Sequence, residues 1–81
     1  MLVDLYRRPE SQHKVSYLAV PAGKRIPEEV INTDWSNAGS AVHLADHAKR
    51  WSEYGIETPE EQIAEKGYAI TSVAEQPLDG S

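Results

Sequence analysis

The sequence predicts an α+β fold: a small three-stranded sheet, made of an N-terminal β-hairpin and a C-terminal strand, covered on one face by one or two short helices. Three observations carry this. Residues 2–8 and 14–20 are two apolar, β-branched and aromatic runs joined by a short proline-containing link. Thr58-Pro59-Glu60-Glu61 is a helix-start signature, and Gly67 stands where that helix would stop. Tyr68-Ala69-Ile70-Thr71-Ser72-Val73 then returns to strand-forming types. With 81 residues and 40% hydrophobic side chains, the chain has material for one thin core.

Each element follows from its residues. In the first strand Leu2, Asp4 and Tyr6 share one face, and Val3 and Leu5 the other. Arg8-Pro9-Glu10-Ser11 reads as a turn with proline at its second position. The second strand, residues 14–20, ends at Pro21-Ala22-Gly23. Ile26-Pro27-Glu28-Glu29-Val30 reads as a single helical turn, with proline first and acids near its N-terminus. Asn32-Thr33-Asp34-Trp35 reads as an extended segment or turn delivering a tryptophan to the core, and Ser36 to Ser40 as a loop. Ala41, Leu44, Ala45, Ala48 and Trp51 recur at helical spacing, so residues 41–51 are expected to form a helix with Ser40 as its cap. Helix 59–66 is expected to start on a Thr58–Glu61 capping box and to end in a Schellman turn bringing Tyr68 onto Ile63. The domain is read as residues 1–73, with 74–81 as a disordered C-terminal tail.

Composition removes several chemistries. No cysteine is present, which excludes disulfides, a thiol nucleophile and thiolate metal sites, and fits a reducing, cytoplasmic setting. No apolar run reaches the ~20 residues of a membrane span. The formal charge is −5, which argues against a nucleic-acid-coating role. That charge is unevenly spread. Residues 1–25 hold Arg7, Arg8, Lys14, Lys24 and Arg25 against Asp4 and Glu10, a net of +3; residues 26–81 hold three basic residues against eleven acids, a net of −8. The five basic residues are therefore a candidate interaction patch for an acidic protein surface, a second copy or a short anion. Ordinary solvated surface protecting strand edges is the simpler account of them.

The remaining motifs are weak. His43 and His47 lie four apart, as metal-ligand pairs on a helix do, but no third ligand has a compelling spacing. Gly23-Lys24 lacks the first glycine and the Ser/Thr of a phosphate loop, where Leu18 and Arg25 stand instead. Glu28-Glu29 and Glu60-Glu61 are adjacent pairs that diverge by ~100° on a helix, and helix-start electrostatics explains them. Phenylalanine is absent, so Trp35, Trp51 and Tyr54 are the natural core anchors; the competing reading makes them an aromatic pocket for a peptide or small ligand.

Four strings then carry a resemblance: Val3-Asp4-Leu5-Tyr6-Arg7-Arg8-Pro9-Glu10, Tyr17-Leu18-Ala19-Val20-Pro21-Ala22-Gly23, Asn32-Thr33-Asp34-Trp35, and Gln62 through Ser72. In these the chain resembles a family of short uncharacterised proteobacterial proteins. The resemblance implies a bacterial cytosolic protein and assigns no activity, cofactor or site residue. The leading expectation is a non-enzymatic interaction or regulatory module, acting on a protein partner or on itself as a weak homodimer. The alternatives are a small-ligand binder or enzyme at the aromatic cluster, and anion or nucleic-acid contact through the basic hairpin.

Overall fold

The computed structural model of the chain describes residues 1–31, 34–44 and 49–78. Strands β1 (Leu2–Pro9) and β2 (Val15–Pro21) form the expected antiparallel hairpin, in a register that sets Val3 against Pro21, Leu5 against Ala19 and Arg7 against Tyr17. Pro9 belongs to β1 rather than to a turn. The link is Glu10–Lys14, closed by the Glu10 amide donating to the Lys14 carbonyl at 2.8 Å, with Gln12 and His13 at φ 59° and 60°. Helix α1 (Glu28–Ile31) is the predicted single turn.

The three-stranded expectation needs correction. Strand β3 (Ser36–His43) pairs antiparallel with the free side of β1, while the C-terminal strand β6 (Ala69–Ile70) pairs with β2. The result is a four-stranded sheet in the order β3-β1-β2-β6, with a separate two-stranded ribbon of β4 (Arg50–Trp51) and β5 (Ile56–Glu57). The expected loop at 36–40 and the first part of the expected helix 41–51 are thus one strand, and the end of that helix is β4; residues 45–48, including His47, lie outside the described residues. The helical stripe was mostly alanine and had little to bury. The unpaired side of β1 offered backbone hydrogen bonds, and Val42 and Leu44 alternate onto the same face as Val3 and Leu5. Asp4 helps to shape the pairing. Its carboxylate accepts the Ala41 amide at 3.0 Å, where β3 bulges and Ala41 sits at φ 51°, and the Gly23 amide at 3.2 Å. Those two donors, Ala41 first, hold the Asp4 carboxyl below its ordinary value of 3.8.

Both faces of the sheet are covered, not one. On the odd-numbered face Val3, Leu5 and Ala19 pack with Leu44, Ile56 and Ala69, joined by Tyr17, Trp51, Tyr54 and Ile63. On the even-numbered face Leu18 and Val20 pack with Tyr68, joined by Tyr6, Ile26, Val30, Trp35 and Ile70. This is why β2 is buried at five of seven positions instead of alternating.

Helix α2 (Pro59–Lys66) keeps its predicted bounds but not its predicted caps. Thr58 adopts φ 40° and its hydroxyl makes no cap bond. At the other end Gly67, at φ 85°, donates its amide to the Ile63 carbonyl at 2.8 Å, the single-bond left-handed stop rather than the Schellman pair. Tyr68 packs in the even-face cluster with Lys66 over its ring at 4.9 Å, whereas Ile63 joins the odd-face cluster.

Thr71 ties the layers together. Its buried hydroxyl accepts the Tyr17 amide at 2.7 Å and lies 2.7 Å from the Tyr54 carbonyl, to which it donates. Beyond it Gly55, at φ 65°, accepts the Ser72 amide at 3.0 Å. From there to Leu78 the chain runs back along β2, and the Val15 amide donates to the Pro77 carbonyl at 3.0 Å. Within the tail expected from residue 74, Gln76 and Pro77 bond to β2 and Leu78 bridges to Lys14 beside it, and 79–81 lie outside the described residues.

Candidate functional site

The hairpin register divides the five basic residues. Arg7 and Arg8 stand opposite Tyr17 and Ser16, near Lys14, whereas Lys24 and Arg25 follow the Val3–Pro21 pair at the other end. Four residues of strand, ~14 Å, separate the Arg7 and Val3 pairs. One contiguous patch does not form. Arg8 is also engaged: its guanidinium bonds the Glu10 carboxylate at 2.8 Å and stacks on the Trp35 ring at 4.5 Å. Burial acts to raise the Glu10 carboxyl, but Arg8 and the Ser16 hydroxyl outweigh it, and the group stays below its usual value.

The three anchor aromatics divide as well. Trp51 and Tyr54 meet edge to face at 4.6 Å, and Tyr54 meets Tyr17 at 4.8 Å, all on the odd face. Trp35 lies on the even face, where its indole donates to the Val30 carbonyl at 3.0 Å. The sheet stands between Trp35 and the other two, so a pocket shared by all three is not formed. Burial, and then the nearby Glu53 carboxylate, push the Tyr54 hydroxyl above its ordinary pKa, so it is a neutral phenol at neutral pH. His43 ends β3 and is exposed, and His47 lies outside the described residues. Among the described residues no three His, Asp or Glu side chains gather as metal ligands.

The sequence does not reveal which strands form the two sheet edges. The β6 side is closed. Gln62 of α2 reaches back so that its side-chain carbonyl accepts the Ile70 amide at 3.1 Å while its amide donates to the Glu57 carbonyl. Below β6, Thr71 and Pro77 take the Tyr17 and Val15 amides of β2. The β3 side is open. Among the described residues nothing pairs with its outer edge, and six of its eight residues are exposed. Met1 and Leu44 exchange both backbone bonds, at 2.9 and 2.8 Å, so the neighbouring His43 turns its own N–H and C=O outward. Proteins commonly guard such an edge with charged side chains, proline, shortness or β-bulges, and of these β3 carries only the bulges. Ser36-Asn37-Ala38-Gly39-Ser40-Ala41-Val42-His43 has no proline and no Asp, Glu, Lys or Arg. Two register shifts against β1 bend it. The legible signal was the Val42–Leu44 alternation.

The family model for a family of unknown function, DUF6139, matches residues 1–77. The chain belongs to that family. The match spans β1 through Pro77, and so includes the open β3 edge, the Gln62 clamp and the return segment along β2. No curated protein and no solved structure matches the chain.

Proposed function

We propose that this DUF6139 protein is a small protein-interaction module that accepts a partner's extended segment along the outer edge of β3. The observation that carries the reading is the asymmetry of the edges: β6 is sealed by the Gln62 side chain, while the outer edge of β3 is long, uncharged and unpaired among the described residues. Strand addition uses main-chain bonds for affinity, so the small side chains of β3 suit a close approach of a second backbone. No described helix is long and apolar enough to cross a membrane, and the lack of cysteine supports a reducing cytoplasmic setting.

Site-specific photo-crosslinking in cells tests the proposal. A photoreactive side chain at Ser40, exposed on β3, should give a defined adduct, and one at Glu65, exposed on α2, should not. No adduct from Ser40, or equal adducts from both sites, would refute it.

A further inference from the structure

Resting on that reading, we infer that the strand added to β3 is β3 of a second copy of this chain, paired antiparallel about a two-fold axis. Three observations on different elements point there. A two-fold antiparallel pair places the same uncharged surface on both sides, so the contact is self-complementary and brings no like charges together. The fold also places the acidic helix α2 away from that contact. Helix α2 packs on β2 and β6 and carries Glu60, Glu61 and Glu65 against Lys66, a net of −2, whereas β1 and β3 carry Asp4 against Arg7 and Arg8, a net of +1. Three strand spacings, ~14 Å, separate β3 from β6, more than the ~10 Å screening length at 0.1 M salt. Copies that meet at β3 therefore keep their α2 acids well apart.

Closure is the third observation. Joining β3 to β3 gives an eight-stranded sheet whose two ends are both β6. Gln62 blocks each end, so assembly stops at two copies. Joining β3 to β6 instead would generate an open filament, and the Gln62 bond to the Ile70 amide stands in the way.

Sedimentation velocity on the full chain, from about 5 to about 500 µM, tests this across the micromolar to sub-millimolar range of Kd. The mass is expected to rise from 9.0 kDa towards twice that value. Ser40→Lys sets two ammonium groups against each other across the axis, and His43→Pro removes an outward N–H without touching a bond to β1. Each should weaken association at least tenfold with the circular dichroism spectrum and melting temperature retained, while Glu65→Lys on α2 should not. A wild-type monomer throughout the range, or a dimer indifferent to both β3 variants, would overturn the inference. If the chain is monomeric while Ser40 still crosslinks to a protein of different mass, self-pairing fails and the strand-addition reading stands. If Ser40 gives no adduct at all, the reading itself fails.

Discussion

Gly55→Ala reports directly on how the C-terminal segment docks. A Cβ at Gly55 would stand 2.2 Å from the Glu75 carbonyl oxygen and 3.0 Å from Thr71 Cγ2. Ordinary contact begins a little above 3 Å, so the Glu75 carbonyl must retreat by ~1 Å. That movement strains the Ser72 amide bond to the Gly55 carbonyl and the turn at Val73–Glu75, each a hydrogen bond of ~1 kcal/mol net. The backbone at φ 65° adds ~1–2 kcal/mol for a side chain in the left-handed region. Together these come to ~3–4 kcal/mol. For a domain of this size each kcal/mol lowers Tm by ~4–8 °C, so a loss of at least ~12 °C is expected. Gly67→Ala is the matched comparison: Gly67 has φ 85° but nothing within 4 Å of the added Cβ, so it should lose only the backbone part, ~1–2 kcal/mol. Urea unfolding followed by tryptophan fluorescence measures both. Equal losses for the two variants would refute the close approach at Glu75.

Three further outcomes follow from the same structure. Thr71→Val, which keeps the shape but strands the buried Tyr17 amide, should cost ~1–3 kcal/mol in urea unfolding, and Thr71→Ser should recover most of it. Asp4 is held below its unfolded pKa, so its contribution is fully present above that pKa and is lost as pH falls through the lower folded value. Wild-type stability should therefore drop below about pH 4, and an Asp4→Asn variant should show a shallower acid dependence with faster amide exchange at Ala41. Gln62→Leu should leave the Ile70 amide without its acceptor, visible as a gain of exchange at Ile70 and a loss of ~1–3 kcal/mol.

The parts of the fold legible in the sequence were those where local chemistry and tertiary packing agree. The hairpin, the proline-led turn at Glu28–Ile31, and helix α2 between Pro59 and Gly67 are such cases. Strand β3 was hidden because its Gly39, Ser40 and Asn37 are poor strand formers, and because what recruits it is distant in sequence: the free side of β1 and the Asp4 carboxylate. A net charge also conceals position. The basic N-terminal segment was visible, but only the register reveals that its five basic side chains occupy both ends of the hairpin. The aromatic trio likewise reads as one cluster in the sequence and is divided by the sheet, with Trp35 on one face and Trp51 and Tyr54 on the other. Gln62 carried no signal beyond a polar residue on a helix, yet it decides which edge is closed.

The open β3 edge is tested most directly by amide hydrogen exchange at single-residue resolution, measured at a dilute and a concentrated condition. At low concentration the His43 amide should exchange at near-solvent rates while its neighbours Val42 and Leu44, whose amides face β1, are protected. At high concentration His43 should become protected as its outward N–H finds a partner strand. Protection of His43 that is already complete in the dilute sample, or its absence at every concentration together with no adduct from Ser40, would contradict the account.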